Sequence, residues 1–366
     1  MCERRELLLK NRQGDSLRLY LRKYQEGDEE GMISCIRDEY GDSYVKQDFY
    51  NPAYFRIEAR EGRITFLAAE TEDGMIAGML ILKQSLPRET MCEIASQIFR
   101  KKYRGYGLAM PFFEYAMEIL LSRPCSAALC RPVLYHDITQ RLMGRLGFKA
   151  VGVVLNTFDM EKTTHSYGNG RNGKHSFGIQ VRALGKRDAG RLYLPSEHQS
   201  FCRSIYESLG VGFCIVQEEG DGQEGMSGQI CEPAHIPPVS VIDYKQYAGQ
   251  SSMEIHVSHI GKDFPERIAH IHAAHPLQGR QTASVFLNCN DPFARWAYRK
   301  LEHAGYFFTG LQPLCSEKEY IILHHPGEVE TWLEDYAAAE EFLYLFRYIR
   351  KNMGAHSSEQ PPVPTV

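Results

Sequence analysis

A glycine-rich loop carries the residues whose types and spacing point most directly to chemistry. It runs Arg104-Gly105-Tyr106-Gly107-Leu108-Ala109, after a predicted strand over 93–99 and before apolar residues at helical spacing. Glycine lets the backbone turn tightly and approach a ligand, and the N–H groups at a helix start attract an anion. Arg104 adds a permanent positive charge. The loop predicts a pyrophosphate site, with a plain strand-to-helix turn as the alternative.

The spacing of this loop separates it from two common phosphate-binding loops. A Walker loop needs Gly-x-x-x-x-Gly-Lys-Ser/Thr, and the dinucleotide fingerprint needs a third glycine where this chain has Met110. Arg-x-x-Gly-x-Ala at a strand-to-helix junction instead resembles the acyl-CoA signature of the GNAT superfamily of N-acetyltransferases. The resemblance implies that acetyl-CoA is the co-substrate and that the whole loop, Arg104, Gly105, Tyr106, Gly107, Leu108 and Ala109, contacts it.

The order of the predicted elements extends this resemblance to a whole domain. A strand at 17–23, a helix through 32–40, a hairpin over 64–83 and the strand before the loop are followed by further alternating strands and helices to residue 159. Gly147-Phe148 matches the Gly-Phe that is frequent after the fourth GNAT helix. The resemblance implies an α+β fold with a central, mostly antiparallel mixed sheet flanked by helices.

The second half of the chain repeats this order in a diverged form, with a predicted helix at 264–274 followed by a predicted strand at 282–288. Gly305-Tyr306-Phe307-Phe308 echoes Gly147-Phe148, whereas His259-Ile260-Gly261-Lys262-Asp263, at the place of the loop, lacks the signature. We therefore expect two GNAT-like domains in tandem, of which the second binds no CoA. The expected divisions are a catalytic acetyl-CoA-binding domain at 15–161, a linker at 162–177, a degenerate GNAT-like domain at 178–328, a C-terminal helical segment at 329–352 and a disordered tail at 353–366.

Acyl transfer to an amine requires a base, and the resemblance indicates where to look for it. In GNAT enzymes the strand before the loop offers backbone groups to pantetheine and the thioester, and the matching residues are Gln97, Ile98 and Phe99. Glu93 lies eleven residues before Arg104, where many members carry a glutamate that takes the amine proton. The alternatives are an ordinary strand and a solvated carboxylate at its start.

The group that protonates the leaving thiolate departs from the common pattern. Many members place a tyrosine four residues before the Gly of Gly-Phe, and this chain has Met143 there. His136 begins a stretch, His-Asp-Ile-Thr-Gln, that resembles the His-x-x-Ser/Thr-Gln of a tandem subgroup, and an imidazolium titrates in a suitable range. We take His136 as the candidate acid, with a helix-capping role as the alternative and Tyr135 as a weaker candidate.

The loop between the first two helices lines part of the acceptor pocket in this superfamily. The aromatic residues that this implies here are Tyr40, Tyr44, Phe49 and Tyr50. Aromatic side chains are also common in cores, so simple packing is the alternative.

Composition limits the remaining possibilities. The 366 residues carry a formal net charge of −4, which argues against a nucleic-acid surface. No apolar run approaches the roughly 20 residues that span a bilayer, no signal peptide is evident, and the ten cysteines follow no disulfide pattern. A histidine cluster at 256–275 lacks familiar metal-ligand spacing. We expect a cytoplasmic monomer or homodimer that binds no metal, membrane or nucleic acid.

Three functions remain open at this stage. The first is an acetyl-CoA-dependent N-acetyltransferase whose acceptor is a small-molecule or peptide amine. The second is a non-catalytic acyl-CoA-binding regulatory module, in which the missing tyrosine reflects lost catalysis. The third is a scaffold that docks a partner through the helix containing Tyr344-Leu345-Phe346. The complete loop counts against the third, and Glu93 favours the first over the second.

Overall fold

The computed structural model describes residues 4–84, 90–159, 173–217, 232–247, 251–315 and 318–357. Contacts divide the chain into two units: unit 1 comprises residues 1–131 and 160–167, and unit 2 comprises 132–159 and 168–366. This division by contacts differs from the domain boundaries expected from the order of elements, and those boundaries stay a prediction.

Within its described residues, unit 1 is a six-stranded sheet with three α-helices. Its strands follow one another in the order of the chain, antiparallel from the first to the fifth and parallel between the last two. The elements are β1 (Arg5–Lys10), β2 (Ser16–Lys23), α1 (Glu29–Tyr40), α2 (Pro52–Glu61), β3 (Ile64–Thr71), β4 (Ile76–Lys83), β5 (Met91–Phe99), α3 (Ala109–Leu121) and β6 (Ala127–Cys130).

Local sequence signals set the limits of α2, and burial of apolar side chains holds α1 on the sheet. The Asn51 side chain accepts a hydrogen bond from the Ala53 N–H, Pro52 supplies the first helical residue, and Gly62 ends α2 at a φ of 70°. The apolar face of α1, which includes Met32 and Ile36, is buried in one cluster with residues of β3 and β4. Burial of these apolar side chains stabilises the helix more than its intrinsic propensity does.

Unit 2 is a seven-stranded sheet with a small parallel pair and five helices in its described part. The sheet order is β8-β7-β14-β15-β13-β12-β11, antiparallel except between β12 and β13. The elements are α4 (Ile138–Arg145), β7 (Lys149–Asp159), β8 (Lys174–Ala183), β9 (Asp188–Leu192), α5 (Gln199–Leu209), β10 (Gly212–Ile215), β11 (Val241–Tyr247), β12 (Ser252–His259), α6 (Phe264–Ala274), β13 (Thr282–Asn288), α7 (Ala294–His303), β14 (Phe307–Cys315), β15 (Lys318–His325) and α8 (Glu340–Ser357).

Two segments of unit 2 have the same local structure. α4 and α7 each end two residues before a glycine in the left-handed region, Gly147 at 81° and Gly305 at 89°. The strand that follows each helix then carries a glycine five residues further on. These two glycines, Gly152 of β7 and Gly310 of β14, pair directly across the antiparallel strands.

The predicted α+β class, with mostly antiparallel mixed sheets flanked by helices, is confirmed. Two expectations about irregular segments are wrong where the structure describes them. Residues 174–177 of the expected linker form the start of β8, because they pair with β7. Residues 353–357 of the expected tail continue α8. The rest of that tail and residues 162–172 of the linker lie outside the described residues.

Candidate functional site

β5 changes its course halfway along its length. Ile81 of β4 pairs with Ala95 and Met79 pairs with Ile98, so Ser96 and Gln97 together face a single residue of β4. Ser96 has a φ of 50°, which is unusual for a residue with a Cβ. On the other side, pairing with β6 runs from Met91 to Ile94, where β6 ends at Cys130. This β-bulge therefore lies where β5 passes beyond its parallel neighbour.

The glycine-rich loop leads from β5 into α3 and is open. Gly105 and Gly107 have φ values of 86° and 75°, and no atom of a residue that the structure describes lies within 4 Å of a Cβ built on either of them. Among the described residues, none accepts a hydrogen bond from the N–H groups of Gly107, Leu108 or Ala109. These donors and the positive end of the α3 dipole provide a site for an anion at this point.

Side chains around the loop fix its position. The Gln97 amide donates a hydrogen bond to the Ala109 carbonyl at 3.0 Å and so ties the bulge to the first turn of α3. Arg104 donates to the Phe99 carbonyl at 3.3 Å and forms an ion pair with the largely buried Glu39 of α1. The Arg104 guanidinium thus already has an anionic partner within the protein.

The predicted contributions of Ile98 and Phe99 can come only from their backbone. Ile98 is buried, and the Phe99 ring packs against Phe112 at a centroid distance of 6.0 Å and against Gly78. The Ile98 side chain thus belongs to the core and the Phe99 side chain is half-buried; the expected contacts of their main-chain groups with pantetheine stay a prediction.

The bulge is also the meeting point of three polar side chains. The Tyr44 hydroxyl lies 2.9 Å from Ser96 Oγ, and Lys46 Nζ donates to the same oxygen at 3.1 Å. Burial raises the pKa of Tyr44 to about 12; the hydrogen bond with Ser96 opposes this effect, and the negative charge of Glu93 adds to it. Glu93, Tyr44 and Lys46 therefore interact electrostatically at the bulge of β5.

Sequence reasoning missed Lys46 and Ser96. Lys46 stands in the aromatic loop between two candidate residues, and Ser96 directly precedes Gln97. A lysine within an otherwise aromatic and acidic loop was the available signal. The conformation of Ser96 had no signal, because the bulge depends on how β5 pairs with β4.

The four aromatic candidates for the acceptor pocket have different surroundings. Phe49 is only 1% exposed and packs with Phe55 and Phe66 in the core. Tyr50 closes the loop on itself, because its hydroxyl donates to the Gly41 carbonyl and accepts from the Tyr44 N–H. Tyr40 packs against Tyr44 at a centroid distance of 4.8 Å. Tyr44 is hydrogen-bonded to Ser96 of β5 and is affected by the charge of Glu93.

His136 and Met143 lie in unit 2. Burial lowers the pKa of His136, so the imidazole is mostly neutral at neutral pH. Its Nδ1 is buried and has no hydrogen-bond partner among the described residues. The expectation that His136 acts as an imidazolium acid is therefore not favoured. Met143 is fully buried in α4 and offers no proton.

The counterpart of the loop in unit 2 is closed by the chain itself. The N–H of Ile260 donates to Asp291, that of Gly261 to Ser240 Oγ, and that of Lys262 to the Pro237 carbonyl. A Cβ on Gly261 would lie 2.3 Å from the backbone of Val239. The donors that are open at residues 107–109 are thus occupied at 260–262.

Two features are absent from the part of the chain that the structure describes. No group of three or more His, Cys, Asp or Glu side chains in this part of the chain is arranged to hold a metal ion. Nor does any helix there have both the length and the apolar character that crossing a membrane requires.

Some of the solved structures that are similar to this chain are N-acetyltransferases. No protein-family model matches it, and no curated protein does. An N-acetyltransferase from Staphylococcus aureus matches at 13% identity and a TM-score of 0.37, over 46% of this chain and 99% of its own. A spermidine N-acetyltransferase from Vibrio cholerae matches at 13% identity and a TM-score of 0.38, over 45% and 94%. Sequence identities and TM-scores this low do not indicate a function, so the proposed function depends on the geometry of the site.

Proposed function

We propose that this chain is an acetyl-CoA-dependent N-acetyltransferase, which moves the acetyl group to a primary amine by direct attack in a ternary complex. The observation that carries the proposal is the open loop at residues 104–109. Its N–H groups and glycines stand at the start of α3, directly after a bulged strand. Together with the Arg-x-x-Gly-x-Ala signature, this geometry supports a pyrophosphate site.

The loop fits the group that it is proposed to hold. No atom in the part of the chain that the structure describes fills the space next to Gly105 and Gly107, so phosphate oxygens can approach the backbone closely. The equivalent donors in unit 2 are already satisfied by Asp291, Ser240 and Pro237. This difference supports the expectation of a single CoA site per chain.

The residues at the bulge have distinct proposed roles. Glu93 accepts the proton that the ammonium must lose before its nitrogen can attack the thioester carbon. The backbone of Gln97, Ile98 and Phe99 contacts the pantetheine arm and the thioester. When the new C–N bond has formed, the C–S bond breaks and the thiolate takes a proton. Because the pKa of a thiol is about 8–9, protonation of the CoA thiolate needs little help from an acid.

A non-catalytic acyl-CoA-binding module is the second candidate. It is favoured by Met143, which is buried where the related enzymes place a tyrosine acid, and by the lowered pKa of His136. In this case CoA would bind at the same loop without acetyl transfer.

Turnover of acetyl-CoA with a panel of amines separates the two candidates. The release of free CoA thiol is measured for each amine, and acetyl-CoA binding is measured by calorimetry. Turnover with any amine that depends on Glu93 supports the enzyme. Binding without turnover on every amine supports the regulatory module, and the absence of binding contradicts both.

A further inference from the structure

β1 forms one edge of the described sheet of unit 1. It pairs with β2 from Arg5 to Lys10 and stands at the end of the strand order. No described strand pairs with its other side, and an edge of this kind can pair with a strand of another chain. Leu8, near the middle of β1, is 61% exposed, the highest value for a large apolar side chain in the part of the chain that the structure describes. An apolar strand edge is therefore accessible at this end of the sheet.

The exposed face of β1 carries an acid, an apolar side chain and a base. Glu6, Leu8 and Lys10 are exposed, and the residues that alternate with them are half-buried. Glu6 Oε1 lies 3.0 Å from Arg18 Nη1, but the Glu6 side chain is 54% exposed, so its second oxygen can accept another cation. Lys10 forms no ion pair with any residue that the structure describes. Two opposite charges thus lie four residues apart, on either side of the exposed leucine.

The alternation of the backbone restricts how β1 can pair with a second copy of itself. In an antiparallel pair, two opposite residues direct their N–H and C=O groups either both toward the partner strand or both away from it. When a strand pairs with its own copy, one residue must therefore lie opposite itself at the twofold axis.

The charges and the leucines select one position for this axis. With the axis at Leu8, Glu6 of each copy lies opposite Lys10 of the other. The same axis places Leu7 opposite Leu9. An axis at Leu7 would place Glu6 opposite Leu8, and an axis at Leu9 would place Lys10 opposite Leu8. Of the three leucine positions, only Leu8 pairs each of these charges with its opposite and each leucine with another leucine.

We propose that this chain forms a symmetric dimer through β1, in antiparallel pairing centred on Leu8. The contact is isologous, so the exposed face of each dimer contains two Glu6–Lys10 pairs and one pair of Leu8 side chains. Cross-strand pairs of opposite charge stabilise a sheet, and pairs of like charge destabilise it. The paired segment is far shorter than the roughly 20–30 residues that each partner contributes to a standard interface, so the dimer is weak and depends on protein concentration. The inference goes beyond the proposed function, because no residue of the loop at 104–109 takes part in it.

Reversing one charge of each pair tests this register. Sedimentation equilibrium at roughly 5–500 µM protein measures the dissociation constant of such a weak dimer. In Glu6→Lys both charge pairs would join two cations, and in Lys10→Glu both would join two anions. Each variant alone should therefore dimerise at least about tenfold more weakly than the wild type, which corresponds to about 1.4 kcal/mol. An equimolar mixture of the two variants should dimerise again, because both charge pairs of the heterodimer are opposite. The double variant Glu6→Lys/Lys10→Glu should dimerise like the wild type for the same reason.

Glu72→Lys is the matched control. Glu72 lies in the turn after β3 and, like Glu6, is more than half exposed and forms an ion pair with Arg18. The same charge change at Glu72 removes a contact with Arg18 but leaves β1 unchanged, so the dissociation constant should stay at the wild-type value. Thermal melting followed by circular dichroism shows that each variant is folded.

Three results would overturn the inference. The first is a wild-type protein that stays monomeric at the highest concentration. The second is a dimer that persists unchanged in both single variants, because its interface would then lie on another surface. The third is a mixture of the two single variants that dimerises no better than either of them alone, because the strands would then not pair with the axis at Leu8.

Discussion

Replacing Gly107 by valine tests the central claim about the loop. Gly107 has a φ of 75°, and no atom of the described residues lies within 4 Å of the new Cβ. The cost to the free protein is therefore backbone strain of roughly 1–2 kcal/mol, since a left-handed conformation is unfavourable for a residue with a Cβ. The same Cβ would enter the space that the pyrophosphate needs. Loss of even one hydrogen bond to a charged group costs about 1.5–3 kcal/mol, so CoA affinity should fall at least about tenfold.

Gly62 provides a control with almost the same φ. It ends α2 at a φ of 70°, also with nothing within 4 Å of a built Cβ. Gly62→Val should lower the melting temperature about as much as Gly107→Val while CoA affinity, measured by calorimetry, stays at the wild-type value. If Gly107→Val binds CoA as tightly as Gly62→Val does, the loop is not the pyrophosphate site and the proposed function loses its main support.

Four further expectations follow from the site and from the core of unit 2. Glu93→Gln should lower turnover by about 10²–10⁴-fold with acetyl-CoA affinity nearly unchanged; wild-type turnover would point to another base. His136→Ala should cost less than Glu93→Gln in the same assay, and a larger loss would restore His136 as the acid. Calorimetry should give one CoA per chain, and a second equivalent would show that the closed loop of unit 2 can open. Burial raises the pKa of Glu319 to about 7; the folded state therefore holds a proton that the unfolded state, with a pKa of about 4.3, releases. The contribution of Glu319 to the free energy of unfolding should be fully present below about pH 4 and fall by up to roughly 3 to 4 kcal/mol as pH rises through 7. Urea unfolding across this range should show the slope in the wild type and not in Glu319→Gln.

Elements with strong local signals could be predicted almost to the residue. The helix Phe264–Ala274 and the strand Thr282–Asn288 were expected with the bounds that they have. Asp263 and Pro265 mark the start of that helix, and the strand is a continuous buried run. In such segments the local sequence and the tertiary packing favour the same structure.

β1 and β8 were not predicted, because their own residues show no clear strand pattern. β1 contains three leucines between charged residues, and β2 supplies its partner. β8 begins with polar residues that would normally indicate a loop. Lys174 is nevertheless buried, because its ammonium donates to the carbonyls of Ser251 and Arg280, about 80 and 110 residues away along the chain.

The candidate site also consists of one part that the sequence predicts and another part that it does not. The loop was found from its glycines and Arg104, since a backbone anion site requires particular residue types at a fixed spacing. The cluster around Ser96 was not found, because it arises when the α1–α2 loop folds back onto β5. Side-chain encounters of this kind leave no spacing in the sequence.

The pairing of Gly152 with Gly310 gives unit 2 a local twofold axis. Each of the two glycines follows a helix, a glycine turn and an aromatic residue, in the same order and at the same spacing. The two strands therefore pair at equivalent positions of the two segments. Such a contact is isologous, as in a symmetric dimer, but both halves belong to one chain. A Cβ on either glycine would lie within 2.6 Å of the opposite backbone. The two positions are therefore under one shared steric constraint, and neither can gain a side chain unless the two strands move apart.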